Sequence, residues 1–309
     1  MRILFLTNMF PFVGDVPWRG IFLKEQLRSL YQINKSNKIK LFLFRGKTCG
    51  GSNFIYLSRA LKLKKILANT DVVHCHHWLL VLMVQFFNSK IKIIYTIHEE
   101  SSQKKFTLAF FMIEIAKYLS NHIIYVNKTD FYKCNRSSKS FLPCGVNQNV
   151  FFPSKSNVVD NTFFFPADPS RLGKRFDIFE GAFRKLQKSG VRNLHYRTGG
   201  NLSKNAIAEE MRNAKVLITI GKYESDGLVV KEGLLCGCVI VASSAGNAPY
   251  YASLTKNIII WDGSVPLESC LLQAVNLYDR RETDKNLSLY QFTLSASAVS
   301  ISSLYDKLA

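Results

Sequence analysis

The sequence predicts an α/β protein with two doubly wound parallel sheets in tandem. Three observations lead to this fold class. The chain has 309 residues, a usual length for two domains. Short apolar runs rich in β-branched and aromatic residues alternate with segments of helical periodicity, as in a parallel sheet covered on both faces. The alternation occurs twice, once on each side of a polar stretch at residues 145–162.

The first half supplies strands and helices in alternation. Helical periodicity appears in IFLKEQLRSLY and in YLSRALKLKKIL. The strand candidates are RILFLTNMF, KIKLFLF, DVVHCHH, KIIYTIHEE and HIIYVN.

The second half repeats this pattern. The helix candidates FDIFEGAFRKLQKSG and VVKEGLLCG each close on a glycine, as helices often do. The strand candidates are TFFFPA, NLHYRTG, VLITIG, CVIVAS and NIIIWD. We therefore assign residues 1–150 and 151–290 to two Rossmann-like domains, and 291–309 to a C-terminal helix. Ligands bind at the carboxyl ends of such strands, so we expect a site in the cleft between the domains.

Positive charge is concentrated in the first half. The whole chain carries +19, and residues 1–150 have 22 Lys and Arg against 7 Asp and Glu, a net of +15. Such an excess indicates an anionic partner: nucleic acid, an acidic membrane surface or a phosphorylated substrate. The predicted helix YLSRALKLKKIL suits contact with a lipid surface. A helix face exposed to water explains the same pattern of basic and apolar residues equally well. The basic and apolar residues of this helix are Arg59, Lys62, Lys64 and Lys65, with Leu57 and Leu61 beside them.

Composition and motifs exclude several classes. The longest apolar run, Trp78–Phe87, is half the roughly twenty residues that a membrane-spanning helix needs. The N-terminus lacks a signal-peptide cleavage site and suits a buried strand. Seven scattered cysteines do not predict a disulfide framework and fit a reducing cytoplasm. Neither G-x-G-x-x-G, nor a P-loop, nor a G-x-S-x-G elbow occurs.

A histidine cluster invites a metal interpretation. His74 and His76 would lie on the same side of a strand, next to Cys75 and His77. No second ligand pair has suitable spacing, and no D-x-D motif occurs. We therefore predict a strand end without a metal.

The most informative segment is GKYESDGLVVKEGLLCGCVIVASSAGNAP, residues 221–249. A strand ends before it, a turn follows at Glu224–Gly227, and a helix begins. The N–H groups at a helix N-terminus suit a phosphate, and Gly227 allows close approach of the backbone. Glu232 can accept two ribose hydroxyls, and Glu224 can meet the sugar side of a ligand. Two acids eight residues apart also suit an ordinary strand–turn–helix.

The segment YESDGLVVKEGLLCGCVIVAS resembles the E-x7-E segment of retaining glycosyltransferases of the two-domain GT-B type, family 4. The resemblance extends over most of the chain. Other similar segments are TDVVHCHHW, YTIHEE, the interdomain LPCGVNQNVFFP and FFFPADPSRLGKRFDIFEGAFRKL, which opens the family's nucleotide-binding domain. The resemblance implies two facing Rossmann-like domains and a C-terminal helix that crosses back to the first.

The resemblance also assigns roles to residues. Lys174 and Arg175 match a basic pair that clamps the diphosphate. Arg171 is the alternative to Arg175, because Pro169 occupies the position of the family's usual arginine. Glu224 matches an acid near the donor sugar.

Three further assignments follow from the same resemblance. Glu232 matches the acid that binds the ribose, and His98 matches a histidine that faces the donor sugar from the first domain. Lys231 replaces a usual apolar residue, and we expect it to face solvent. Additional substrate contacts are expected from Gly14, Gly20, Ser225, Asp226, Gly227, Leu228 and Val229.

The resemblance implies retaining transfer from a UDP- or GDP-linked sugar, with no metal or other cofactor. The basic first domain would then bind the acceptor, a glycan or lipid-linked saccharide of surface polysaccharide or lipopolysaccharide assembly. We expect a cytoplasmic protein, peripheral on the inner face of the cytoplasmic membrane.

One alternative is a catalytically degenerate GT-B protein that binds nucleic acid or a protein partner. Both glutamates and Lys174 are present and no RNA-binding aromatic signature occurs, so we expect no nucleic acid. A sugar-nucleotide epimerase of the same fold has no support from the E-x7-E segment.

Overall fold

The computed structural model describes residues 1–11, 20–33, 36–44, 53–98, 107–154, 158, 160–280 and 291–308, without the side chains of 53–57 and 280. They form two compact units. The first runs to Gly145 and also includes the helix that begins at Leu294, and the second is built from Val146–Thr293.

The elements of the first 145 residues alternate as the sequence predicts. They are β1 (Arg2–Thr7), α1 (Ile21–Ile33), β2 (Lys38–Leu43), α2 (Asn53–Leu67), β3 (Val72–Cys75), α3 (Trp78–Phe87), β4 (Lys92–Ile97), α4 (Leu108–Leu119), β5 (His122–Tyr125), α5 (Lys128–Lys133) and β6 (Lys139–Phe141).

The remaining elements repeat the alternation. They are β7 (Asn161–Phe165), α6 (Phe176–Lys188), β8 (Leu194–Thr198), α7 (Lys204–Arg212), β9 (Val216–Thr219), α8 (Leu228–Cys236), β10 (Val239–Ser243), α9 (Ala248–Ala252), β11 (Ile258–Trp261), α10 (Leu267–Arg280) and α11 (Leu294–Leu308).

The first sheet is parallel and has the order β2-β1-β3-β4-β5-β6. Successive side chains of β1 point to opposite faces. Ile3 and Phe5 pack against α1 and α11, while Leu4 and Leu6 pack against the layer formed by α2, α3 and α4. Both faces are therefore buried, which explains why these strands consist of nearly continuous apolar runs.

The second sheet is also parallel, with the order β11-β10-β9-β7-β8. Phe163 and Phe165 of β7 pack against α6 and α10, and Phe164 packs on the opposite face with α7, α8 and α9. The α/β class with two parallel sheets is thus confirmed.

The two sheets share one strand order. Counted within each unit, the order is 2-1-3-4-5, and the first sheet adds a sixth strand. The order reverses between the first and third strands, which are β1 and β3 in one unit and β7 and β9 in the other. The carboxyl ends of these strands form a crevice at the reversal, where open α/β sheets bind their ligands.

The helix α11 returns to the first unit, as predicted. It packs against α1, where the Ser29 hydroxyl donates to the Leu294 carbonyl at 3.1 Å. Ile301, Leu304 and Tyr305 fill the first unit's core. Within the described residues, no helix is long and apolar enough to cross a membrane.

Candidate active site

Three loops meet at the carboxyl edge of the second sheet, following β7, β9 and β10. The Lys222 N–H donates to the Gly173 carbonyl at 2.9 Å, which ties the β9 loop to the β7 loop. The Ser243 hydroxyl donates to the Gly221 carbonyl at 2.6 Å, which ties the end of β10 to the same loop. These bonds fix the backbone on both sides of the strand-order reversal.

Lys174 and Glu224 form an ion pair at this edge. Lys174 ends a short 3-10 turn, Leu172–Lys174, and its Nζ contacts Oε1 of Glu224. The side chains are 20% and 25% exposed. The sequence predicts both as site residues from separate segments, and the structure places them in direct contact. An anion that binds Lys174 would therefore compete with Glu224.

Gly246, in the loop after β10, packs closely against the turn that contains Glu224. Its φ is +64°, in the left-handed region that glycine adopts without strain. A Cβ at this position would lie 3.0 Å from the Glu224 Cβ and 3.1 Å from the Glu224 carbonyl oxygen. The close approach of this loop to Glu224 therefore requires glycine.

Arg171 and Arg175 occupy different environments. The Arg171 side chain is exposed. Arg175 has φ +61° and lies at the N-cap of α6, with its guanidinium carbon 5.9 Å from the centre of the Trp261 ring. Its Nε is buried and has no hydrogen-bond partner among the described residues. Arg175 is thus held beside Trp261, whereas Arg171 is exposed at the start of the 3-10 turn.

Glu232 and Lys204 form a second opposite-charge pair. Glu232 is buried on α8, which begins after Gly227 with φ +77°. Lys204 begins α7, and its Nζ lies 4.0 Å from Glu232 Oε1 and 5.2 Å from the centre of the Phe151 ring. Lys204 was not predictable from the sequence, because no spacing pattern links it to the E-x7-E segment.

Asp226 differs from the sequence expectation. The sequence predicts that it contacts the substrate, but its carboxylate is buried and is already bonded to other side chains of the second unit. Oδ2 lies 2.7 Å from Lys231 Nζ, and Oδ1 accepts bonds from Asn247 Nδ2 at 2.9 Å and from the Tyr251 hydroxyl at 2.5 Å. This network anchors the residue directly before Gly227 to α8 and α9.

The expectation that Lys231 faces solvent is wrong. The side chain is fully buried. Its ammonium group pairs with Asp226 and lies 5.4 Å from the centre of the Tyr251 ring and 5.7 Å from that of Phe292, and these contacts stabilise the buried charge. Leu228 and Val229 pack against the second unit's core.

In the first unit, histidines follow β3 and β4. His98 is partly exposed, and its Nε2 shares a hydrogen bond of 2.9 Å with His76 Nδ1. His74 shares hydrogen bonds of 2.7 Å with Tyr305 and with Thr96. The rings of His74 and His76 lie 4.3 Å apart, which confirms that they share one side of the strand.

These buried histidines are neutral. Burial, reinforced by His98, lowers the pKa of His74 from 6.5 to about 3. Burial also lowers the pKa of His76 well below its ordinary value, with His74 and His98 contributing. No cluster of three or more His, Cys, Asp or Glu that could hold a metal occurs within the described ranges.

Of the two glycines predicted in the first loop, Gly14 lies outside the described residues. Gly20 is buried with φ +65°, and a Cβ there would lie 2.9 Å from the Phe10 Cα. Its carbonyl accepts N–H groups of Leu23 and Lys24 and so begins α1. Gly20 therefore supports the chain directly after the carboxyl end of β1.

Comparison with solved structures gives matches along the whole chain. Sucrose-phosphate synthase from Thermosynechococcus elongatus is 13% identical with a TM-score of 0.74, covering 100% of this chain and 99% of that one. The lipopolysaccharide outer core galactosyltransferase WaaB, in its apo form, is 12% identical with a TM-score of 0.69, covering 99% and 100%. Anabaena HepE in complex with UDP-glucose is 14% identical with a TM-score of 0.63, covering 98% and 95%.

These likenesses show that the fold is the GT-B type. No model of a known protein family matches the chain. A search of curated proteins also finds no match.

Proposed function

We propose that this protein is a glycosyltransferase that uses a nucleotide-diphosphate sugar as donor. The observation that carries the proposal is the Lys174–Glu224 pair at the strand-order reversal of the second sheet. It lies where sheets of this kind bind ligands and combines a cation for phosphate with a carboxylate for hydroxyl groups. The UDP-glucose bound to HepE supports a donor of this class.

Each part of the donor has a candidate partner. Lys174 binds the diphosphate, and Arg175 or Arg171 supplies a second cation. Glu232 accepts ribose hydroxyls, and Glu224 accepts hydroxyls of the transferred sugar. His98 contacts that sugar from the first unit. The α8 N-terminus adds a partial positive charge near the phosphates.

Transfer proceeds with retention, on one face of the sugar and without a metal. The bond between the anomeric carbon and the diphosphate oxygen breaks, and the acceptor oxygen bonds to that carbon. The acceptor's proton passes to the departing phosphate oxygen. No second carboxylate is then required as a base, unlike in glycoside hydrolysis. Lys174 and the arginine stabilise the charge that grows on the diphosphate in the transition state.

The ion pair gives Glu224 a second effect. Glu224 neutralises Lys174 before the donor binds, so the diphosphate must displace the carboxylate. The released carboxylate is then available to the sugar hydroxyls. A bare nucleoside diphosphate lacks the sugar and gains nothing from this exchange.

The acceptor is a glycan or a lipid-linked saccharide, and the donor is UDP- or GDP-linked. The net charge of +15 in residues 1–150 supports an anionic acceptor or membrane surface. We place the protein in the cytoplasm, peripheral on the inner membrane face, where it serves surface-polysaccharide or lipopolysaccharide assembly.

A thermal-shift screen of nucleotide sugars tests the proposal, because a ligand that binds the native state raises the melting temperature. The stabilising donor is then incubated with and without candidate saccharide acceptors. We expect nucleoside diphosphate release that depends on the acceptor, and a product that keeps the donor's anomeric configuration. The matched control for Lys174→Ala is Lys222→Ala, which removes an exposed lysine from the adjacent β9 loop.

Other outcomes separate the alternatives. Conversion of the donor to another nucleotide sugar without an acceptor would indicate an epimerase. Absence of stabilisation by every nucleotide sugar, with binding to nucleic acid, would indicate a degenerate binding protein.

A further inference from the structure

The helix α4 is apolar on both of its faces. Ile113 and Ala116 are buried in the first unit. On the opposite side, large apolar residues recur at helical spacing, and each is between 46% and 83% exposed. They are Leu108, Phe111, Ile115 and Tyr118. A surface helix ordinarily places polar residues there.

The neighbouring helix α3 extends this surface. It packs against α4 and contains no charged residue in WLLVLMVQFF. Phe86 is 84% exposed, and Leu79 is also exposed. We call the six exposed residues the α3–α4 face: Leu79, Phe86, Leu108, Phe111, Ile115 and Tyr118.

Charges beside this face are mostly positive. The acid on α4, Glu114, is paired with Lys117 at 2.6 Å. The helix α2 packs against α3 and exposes Lys62, Lys64 and Lys65. The α3–α4 face is therefore an apolar surface, and the adjacent helix α2 carries exposed cations, of which Lys62 lines the groove between α2 and β2.

We propose that the α3–α4 face inserts into the interfacial region of an anionic bilayer, while the lysines of α2 contact lipid headgroups. Apolar area and attraction to anionic lipids together determine the strength of interfacial binding. Phenylalanine and tyrosine suit the boundary between headgroups and acyl chains. A second copy of the chain is the weaker candidate, because two copies that each carry +19 repel.

This surface differs from the one that the sequence predicts on α2. The Arg59 guanidinium of α2 donates to the Leu43 carbonyl, and Leu63 and Leu67 are buried. Among the described side chains of α2, Leu61 is the exposed large apolar residue. The helix α2 therefore contributes charge, and the apolar insertion comes from α3 and α4.

The proposal extends the membrane part of the proposed function, and its test requires no activity. The full chain is sedimented with vesicles of phosphatidylcholine alone or with added phosphatidylglycerol, at low salt and at about 1 M salt, where screening acts over about 3 Å. The variants are Phe111→Ser/Ile115→Ser on α4 and Lys62/Lys64/Lys65→Gln on α2. The control is Val299→Ser/Leu272→Ser, two exposed apolar residues outside the α3–α4 face.

Two binding components are expected. The wild type binds anionic vesicles strongly at low salt and keeps part of this binding at high salt. The α4 variant loses the salt-resistant part, about tenfold or more in partition coefficient, because apolar burial is lost. The α2 variant loses mainly the salt-sensitive part, and the control matches the wild type.

Three results would overturn the proposal. The first is an α4 variant that sediments like the wild type at both salt concentrations. The second is a wild type that binds no vesicles but forms a dimer that the α4 variant dissociates, which would make a second copy the occupant. The third uses a Tyr118→Trp variant, in which the fluorescence of the new tryptophan is measured with vesicles of brominated lipids. If the protein sediments with these vesicles but its new fluorescence is not quenched, Tyr118 does not enter the bilayer. This last variant also decides the question if the serine variants fail to fold.

Nucleotide binding is measured without vesicles, so failure of the membrane proposal and failure of the proposed function are separate results.

Discussion

The two units have the same strand order but different chemistry at the point where that order reverses. In the second unit, this edge carries charged groups: Lys174 and Glu224 form a partly exposed ion pair, and the buried Glu232 lies beside Lys204. In the first unit it carries the buried, neutral imidazoles of His74 and His76, and His76 shares a hydrogen bond with the partly exposed His98. The sheet therefore determines where a ligand meets the protein, and the loop residues determine which ligand. At this edge the second unit offers charged groups for an anion, and the first offers neutral imidazoles that can exchange hydrogen bonds with hydroxyl groups.

The largest effect is expected from the buried network that Asp226 forms with Lys231, Asn247 and Tyr251. Asp226→Ala would leave Lys231 buried without its partner, which typically costs about 3–5 kcal/mol of stability. Urea unfolding measures this change. Adding Lys231→Met should recover much of the loss, because an apolar side chain replaces the unpaired charge. Glu209→Ala, at an exposed helix position, is the control. A fully stable Asp226→Ala protein would show that the network does not anchor the turn.

The next effect concerns the cations of the same edge. Lys174→Ala and Arg175→Ala should each slow transfer by about tenfold to a thousandfold, comparable to the loss of one preorganised charge-stabilising contact. Initial rates are measured with saturating donor, with Arg171→Ala in parallel to identify the second cation. Lys222→Ala should retain normal rates. Near-normal transfer by the Lys174/Arg175 double variant would remove both residues from the mechanism.

A third comparison separates the two glutamates. Glu232→Ala should weaken binding of a bare nucleoside diphosphate by about 1.5–3 kcal/mol, since ribose hydroxyls lose a charged acceptor. Glu224→Gln should strengthen that binding, because Lys174 is released from its ion pair. Glu224→Ala should lower turnover more than it alters nucleotide affinity. Calorimetric titration gives the affinities. Equal weakening by changes at both positions would contradict this division of roles.

The last effect is a pH dependence of stability, expected from the buried histidines of the first unit. His74 has an ordinary pKa of 6.5 when unfolded and about 3 when folded. Below pH 6.5 the unfolded chain therefore binds more protons, and stability falls as pH decreases toward 3. The slope is at most about 1.4 kcal/mol per pH unit for this residue.

Unfolding measured between pH 7 and pH 5 tests this slope. His74→Gln should reduce this slope, and the buried His76 should account for part of what remains. His195→Gln, at an exposed position of the second unit, should preserve the slope. An unchanged slope in the His74 variant would show that the buried imidazole does not control the acid sensitivity.

Much of the fold was predictable because strands buried on both faces give continuous apolar runs. All ten predicted strands form, and β6 was missed because Lys139–Phe141 is a short segment with polar residues. The helix α4 was not predicted as a binding surface. Its sequence, LAFFMIEIAKYL, is apolar around most of its circumference, and only the packed structure reveals which side is covered.

The candidate site was predictable where residues lie close together in the chain. The spacing of Glu224 and Glu232 is visible in the sequence. The partners of Asp226 are not, because Asn247 and Tyr251 lie 21 and 25 residues away and approach it only through the fold. Lys231 was misjudged for the same reason, since its burial depends on α9 and on Phe292.

The return of α11 to the first unit affects the order in which the protein can be completed on the ribosome. Domains generally fold from the N-terminus during synthesis. Here the first unit lacks Ile301, Leu304 and Tyr305 until the whole of Val146–Thr293 has been translated. The surface of α1 that α11 covers, and the Nδ1 atom of His74, therefore lack these partners until after the second unit has been translated. The second unit can therefore finish folding first, and the unit that begins the chain is completed after it.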